Sequence, residues 1–568
     1  MPDFPHANDV RSGSRVVRDI ADRYVNALAQ LDPILATRLG IGQNQDQLPD
    51  LSPAGQEAID ALARSTLTEL AGVNAGADAD DRRCGRLLAE RLEAKLAMSE
   101  QREHLRAVSN LFGPPQQVRS VFLDMPSATE DDWAMIASRM SKVPAALAGY
   151  RASLAEGMGA GLVAGPRVVR AVVDQLGTWV ATAGGNGWFA EFAADADVQA
   201  PLRARLDDAA ASAIAAVADL RDWLASDYLP VAAEHADGVG SERYLTCARN
   251  WTGANLDAAE AYSWGWSQFN EIREQMRQEA DRILSGATVR AAMEHLDAHG
   301  EAVEGVDAIR TRLQQMMDSA IAELDGTMFD IADPVKVVEA RIAPRGTAAA
   351  PYYTAPSQDF ARPGRTWLPT LGRSRVPLWG LVSTWYHEGV PGHHMQLAQW
   401  KYIADRLSVY QTGPGGVSAC AEGWALYAER LMDELGYLTR PGDRLGYLDA
   451  QMARAIRVII DIGMHTGATI PADSPVGPGQ VWTPELASEF FAMHSGRHKE
   501  FLDSEIIRYL STPGQAISYK LGERAWLTGR DAARAARGAD FDLKAWHMAA
   551  LSLGSLGLDD LADELAAV

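Results

Sequence analysis

The sequence predicts an all-α protein, and three observations lead there. Apolar side chains recur at helical spacing through the first 330 residues. Ala and Leu dominate, while alternating runs of β-branched residues are scarce. A helical texture, lost between Pro334 and Gly380, resumes near Trp379 and runs to the end of the chain.

Taken in order, Arg15 to Leu39 places Val17, Ile20, Tyr24, Leu28, Leu31 and Leu35 at helical spacing, with Asp32-Pro33 interrupting. Ala79 to Leu105, Ala200 to Leu229 and Ala258 to Leu284 have the same helical character. Gly157 to Gly161 with Gly165-Pro166, and Gly184 to Gly187, read as turns between helices; no strand precedes the first and its glycine spacing is wrong for a dinucleotide loop. Val335 to Ile342 reads as a short strand. Pro344 to Arg375, rich in Pro, Gly and Tyr, reads as a long irregular segment around Pro351-Tyr-Tyr-Thr-Ala-Pro356, and such segments within a folded protein tend to be functional. It offers Tyr353 as a substrate contact.

At 568 residues the chain calls for a large core or two lobes. It is read as one unit over 1–568, with a helical N-terminal part (1–333) and a part that carries the chemistry (334–568). Fifty-three Lys and Arg stand against 75 Asp and Glu, a net charge of −22, and so acidic a surface argues against a nucleic-acid partner. Cys84, Cys247 and Cys420 are far apart and without CxxC spacing, which leaves neither a zinc ribbon nor a disulfide framework. With no basic patch and apolar run at the start, and no stretch of about 18 apolar residues, the reading is a cytoplasmic protein without a membrane partner.

Six of the twelve histidines fall between 387 and 498. The sharpest feature is Trp385-Tyr-His387-Glu388-Gly-Val-Pro391-Gly-His393-His394. It begins like HExxH, in which two His one turn apart hold zinc and the Glu is the general base, but Pro391 stands where the second His belongs. Proline lacks the backbone donor and clashes with the preceding turn, and Val390 before it is pushed out of the α region. The helix must break there, with Gly389 and Gly392 supplying freedom. On a straight helix His394 would return to the face of His387 but about 10.5 Å further along, so either His393 or His394 reaches a shared metal only through the irregularity.

HEGVPGHH followed by Met395-Gln396, with Glu422-Gly-Trp-Ala425 downstream, resembles the bacterial domain-of-unknown-function family 885, and its pattern is similar to gluzincin-type zinc peptidases of the oligopeptidase and angiotensin-converting-enzyme-like kind. The resemblance spans most of the chain. It implies a metallopeptidase-like unit with a deep cleft between two helical lobes and one Zn²⁺ per chain, or another divalent metal. Aligned on Gly-His, it makes His387, His393 and Glu422 the metal ligands, with His394 as the alternative to His393. It makes Glu388 the general base and places Tyr519 where related peptidases offer a hydroxyl to the oxyanion. The implied activity is hydrolysis of peptide or related amide bonds in short substrates by metal-activated water. The alternative is an inactive metal- or peptide-binding protein of the same fold.

Further residues come from spacing. Arg457, Asp461 and His465 recur every four residues on one stripe of an apolar helix, either as a structural network or as a shell behind the site, with Asp461 orienting a ligand His and His465 facing the transition state. His494 and His498 stand at i, i+4 on a segment that reads as solvated. Thr512-Pro513-Gly-Gln515 reads as a capped helix start, and Arg508 and Lys520 are candidates to bind a substrate carboxylate.

Overall fold

The computed structural model describes residues 15–42, 45–73, 78–343, 350–438, 440, 442–497 and 499–568. The extreme N-terminus, in which the sequence shows no leader-like basic patch and apolar run, lies outside the described residues, as do Pro344 to Ala349 of the irregular segment and His498.

Short-range chemistry decides where helices begin. Asp32 accepts hydrogen bonds from the backbone N–H groups of Ile34 and Leu35 (3.0 and 3.1 Å), and Pro33 takes the first helical position. The expected interruption therefore yields two helices, Val16–Leu31 and Pro33–Leu39.

Two compact units result. The first comprises Met1–Val163, Val172–Val231 and Ala404–Gly416, and the second Ala164–Ala171, Ala232–Ile403 and Val417–Val568. The division does not follow the change of texture at 333/334, because pairing rather than texture decides membership. Val409, for example, donates its N–H to Asp22 (2.7 Å) and the Arg18 guanidinium donates to the Arg406 carbonyl (2.9 Å), which brings 404–416 into the first unit. In that unit Val17, Ile20, Tyr24 and Leu28 form the buried stripe of Val16–Leu31, which packs on Pro53–Ala71 and Ala79–Glu100. Arg18 is buried there against the fully buried Asp81 (Nε to Oδ1 2.7 Å), a pair whose desolvation is offset by two further backbone donors, Val17 and Arg18.

The second unit is organised around helix Asp443–Thr466. Its interior run Leu445, Leu448, Met452, Ile456, Ile459 and Ile462 is buried, and so are nearly all residues between them, so the helix is surrounded by protein. Tyr244, Ala248 and Ala261 pack on Val458 and Ile462, together with Ile517 and Leu521. Helices Ser418–Glu434 and Ser518–Arg537 cross closely because glycine faces glycine. A Cβ on Gly423 would fall 2.4 Å from the Gly522 carbonyl carbon, and one on Gly522 would fall 2.0 Å from the Ala419 carbonyl oxygen. Those glycines neighbour Glu422 and lie three residues beyond Tyr519.

Strands are few. Val338–Ile342 pairs in parallel with Gly364–Leu368, which pairs antiparallel with the edge strand Tyr352–Thr354, so that Tyr353 stands opposite Thr366. Ala302–Glu304 pairs antiparallel with Arg375–Pro377. The protein is all-α with these two small sheets set before the helix that carries His387. No described helix is long and apolar enough to cross a membrane.

Candidate metal centre

The break at Pro391 builds the site. Helix Val382–Glu388 stops at Glu388 and a new helix, His393–Tyr402, starts five residues later. Between them the Val390–Pro391 bond is cis, the Gly392 N–H donates to the Tyr386 carbonyl (3.0 Å) and the His394 N–H donates to the Gly389 carbonyl (3.1 Å). A Cβ at position 392 would lie 2.0 Å from the His387 carbonyl oxygen, so only glycine fits this return. The Trp424 indole N–H donates to the carbonyls of Pro391 and Gly392 (3.0 Å each), fixing the turn to helix Ser418–Glu434. The two imidazoles of His387 and His393 then stand edge to face, ring centres 4.8 Å apart.

Glu422 completes a cluster with them. Its Oε2 lies 3.3 Å from His387 Nε2 and 3.6 Å from His393 Nε2, and one donor atom from each of the three residues falls within 4.8 Å of the others. The donor chemistry fits a cation. Glu422 Oε2 is buried with no hydrogen-bond partner among the described residues, and His387 is bound through Nδ1 to Glu429 Oε1 (2.8 Å), which leaves Nε2 as the nitrogen that faces the cluster. Burial alone would lower the pKa of His387, but Glu422 and Glu429 raise it to about 9. Burial likewise opposes ionisation of Glu422, yet the two imidazoles hold it well below the usual carboxylate range. The pocket demands positive charge, which a proton or a metal ion supplies.

His394 faces elsewhere. Its Nε2 donates to the Val335 carbonyl (2.7 Å) and its Nδ1 accepts from the Tyr353 hydroxyl (2.8 Å), so neither nitrogen is free. Of the two adjacent histidines, only His393 joins His387.

The cluster opens into a cavity of about 490 Å³ lined also by Glu388, Tyr519, Tyr353 and three arginines, Arg454, Arg457 and Arg497. The Glu388 carboxyl is buried without a hydrogen-bond partner among the described residues; burial raises its pKa, while His387, His393 and Arg454 pull it down. Tyr519 stacks 6.4 Å from His387 (ring centres), its hydroxyl makes no hydrogen bond among the described residues, and the Arg457 guanidinium covers its ring at 4.8 Å.

Four other sequence candidates, Arg508, Lys520, Asp461 and His465, are not among the residues that line this cavity. Arg508 is buried in a bidentate pair with Glu505 (2.9 and 2.7 Å) and donates to Gln515, so it has no fork left for a substrate. Lys520 is buried on Gln451 (2.6 Å) and Glu523. Asp461 does not touch a ligand histidine: its Oδ2 accepts from the Tyr244 hydroxyl (2.8 Å) and the Gly514 N–H (3.0 Å). His465 does not face the cavity either; its Nε2 donates to the Tyr509 carbonyl (3.1 Å) and its ring stacks on Tyr244. These two tie down the turn before Tyr519, which spans 512–517 because Thr512 bonds back to the Arg508 carbonyl instead of capping a helix; the next helix begins at Ser518. Tyr353 lines the cavity, but its hydroxyl is committed to His394. His494 is packed against Phe269 and Phe490. Burial pushes the Cys420 thiol up to about 11, which removes it as a nucleophile.

Sequence reasoning missed Glu429, Arg454 and Arg497. Glu429 had a signal: it follows Glu422 by seven residues, two turns along the same helical face.

The model of the family described as bacterial protein of unknown function (DUF885) matches residues 33–565. No curated protein shows significant similarity. Among solved structures, a "putative lipoprotein" from Colwellia psychrerythraea superimposes with a TM-score of 0.83 at 20% identity, covering 97% of this chain and 98% of its own. A "putative lipoprotein of unknown function" from Shewanella oneidensis gives 0.74 at 19% identity, covering 97% and 99%. Both establish the shared fold. A Pyrococcus furiosus carboxypeptidase gives only 0.36 at 11% identity, which is too distant to bear on the fold or the chemistry. The description of both neighbours as lipoproteins overturns the cytoplasmic placement, which rested only on failing to find a leader or an apolar span.

Proposed function

The chain belongs to the bacterial DUF885 family, and from the site it carries we propose that its second unit is a zinc-dependent hydrolase acting on peptide or related amide bonds of short substrates. One observation carries this reading: His387, His393 and Glu422 bring one ligand atom each to within 4.8 Å of one another, while the carboxyl of Glu388, without a hydrogen-bond partner among the described residues, borders the same cavity. Two imidazoles and one carboxylate, with a cavity beside them, are the donor set of catalytic zinc. Bound there, the ion would supply Lewis acidity toward water and the scissile carbonyl.

The remaining work falls to the protein. Glu388, with no competing partner, takes the proton from the attacking water and delivers it to the leaving nitrogen, a transfer favoured by a carboxyl whose pKa burial has raised. The Tyr519 hydroxyl, also uncommitted, donates to the oxygen that becomes negative when the carbonyl is attacked. Glu429 keeps the proton of His387 on Nδ1 and the ring in its orientation.

Metal analysis of the purified protein, followed by incubation of the zinc-loaded form with a library of dipeptides, tripeptides and amides, tests the proposal. One zinc per chain with amide cleavage lost on chelation is the expected result. Stoichiometric zinc without cleavage would make it a binding protein, and absence of stoichiometric metal would refute the zinc site.

A further inference from the structure

Hydrolysis of a neutral amide does not call for three guanidinium groups, yet Arg454, Arg457 and Arg497 all line the cavity of the candidate site. They are not equally committed. Arg457 donates to the Tyr509 hydroxyl (2.9 Å) and to Glu505 (2.8 Å) and covers the ring of Tyr519. Arg454 and Arg497 make no side-chain hydrogen bond among the described residues. Arg454, more than nine-tenths buried, comes no nearer to an acid than 3.4 Å from Glu429 Oε1, and its Nε is buried with no partner. Arg497, partly exposed, comes no nearer than 3.7 Å from Asp449 Oδ2. A buried guanidinium N–H beside a cavity without an acceptor, as at Arg454 Nε, is costly unless something that enters the cavity accepts from it. Burial lowers the pKa of Arg497, and the charges of Arg454 and Arg457 lower it further against the pull of Asp449, so the three cations repel one another.

We propose that Arg454 and Arg497 receive a carboxylate of the substrate, so that the site selects peptides that present a free carboxylate beside the scissile bond. This rests on the hydrolase reading of the same cavity. The planar fork of each guanidinium matches a carboxylate through paired hydrogen bonds. Glu388 and Glu422 border the same space and would repel a phosphate dianion more strongly than a single negative charge. Leu397, Ala453 and Phe501 add apolar wall to the cavity, and Phe501 lies 5.8 Å from the Arg497 guanidinium, giving room for the side chain of the residue whose carboxylate is bound. A C-terminal carboxylate and an acidic side chain share this chemistry.

The test uses the zinc-loaded full chain with matched substrates: free-acid against C-amidated peptides, and Glu against Gln at the penultimate position of amidated ones. Cleavage is followed by kcat/KM and binding by calorimetry on Glu388→Gln. One member of a pair should be preferred at least about tenfold, the loss expected when a charge-assisted hydrogen bond goes unmade. Arg497→Met should collapse that ratio, and Arg497→Lys should restore it only in part. Preference for free acids places the carboxylate at the C-terminus, and preference for Glu places it on a side chain; either supports the proposal. Equal cleavage and equal binding of both pairs would overturn it while leaving the hydrolase reading intact. Selective binding of carboxylates without any cleavage would support the arginine site and sink the hydrolase reading instead.

Discussion

Glu429 Oε1 lies 2.8 Å from Nδ1 of His387, and the same carboxylate takes the Ser383 hydroxyl and stands 3.4 Å from Arg454. A fully buried carboxylate thus fixes which nitrogen of His387 faces the metal cluster. Glu429→Gln keeps the shape but weakens the bond, and metal affinity should fall about 10- to 100-fold. Competition with a chelator of known affinity measures it; unchanged affinity would mean that the pair only packs the helix.

Glu388→Gln should retain stoichiometric metal and lose at least about 100-fold in kcat, because general-base help is worth roughly 10²–10⁴. Retention of metal together with wild-type turnover would remove Glu388 from the chemistry.

Adjacent histidines should behave oppositely. His393→Ala should lose the metal with little change in thermal stability. His394→Ala should keep it but unfold earlier, because Tyr353 and the Val335 carbonyl both lose a buried partner, at about 1–3 kcal/mol for each group left unsatisfied. Metal stoichiometry and thermal unfolding of the two variants decide the matter.

Asp461 gives a pH signature. Burial pushes its carboxyl up to about 7 from an unfolded value of 3.8, against the hydrogen bonds from Tyr244 and Gly514 and the charge of Arg508. Folding therefore takes up a proton between these values, and the stabilisation is complete below 3.8 and lost as pH rises through 7. His465 beside it is lowered to about 4 by burial and acts in the opposite sense, losing stability as pH falls from 6.5 toward 4. Asp461→Asn leaves that second effect in place. Urea unfolding at pH 5 and pH 8 should show the wild type losing more stability than the variant on going to pH 8; parallel profiles would show that the carboxyl is ionised throughout.

Gly522→Ala inserts a methyl 2.0 Å from the Ala419 carbonyl oxygen. Two helix backbones cannot yield as a side chain can, so the variant should lose at least about 2 kcal/mol of stability, and turnover should drop as Tyr519 moves. Equilibrium unfolding compared with a Gly159→Ala control, in helix Val143–Gly159 with an ordinary φ and a Cβ that would meet nothing within 4 Å, isolates the packing effect from that of losing a glycine.

The helical character of the chain and the break at Pro391 were legible because each rests on local covalent facts: apolar spacing, and the missing N–H of proline. That His387, His393 and Glu422 share one place was anticipated only through a resemblance, since nothing within five residues of Glu422 says where its helix crosses. Arg508 and Lys520 misled for a physical reason. A charge next to a tyrosine in sequence reads as solvated or substrate-facing, whereas Glu505 and Glu523, three residues away on the same helical faces, neutralise each of them inside the core. Arg454 and Arg497 escaped notice because what sets them apart is that, among the described residues, no carboxylate takes a hydrogen bond from them, which appears only in three dimensions.

The glycine crossing also restricts motion. With Gly423 and Gly522 notched into each other's backbone, helices Ser418–Glu434 and Ser518–Arg537 cannot slide without first being lifted apart, because the next residues along, Trp424 and Glu523, carry side chains that do not fit the notch. The crossing thus restricts how far Glu422 and Tyr519 can shift relative to one another, and the ordering entropy of that pair is spent during folding. On the other side of the cavity Tyr352–Thr354 is an edge strand that, among the described residues, pairs along one side only, so fewer backbone ties hold that wall than the one built by the helix pair.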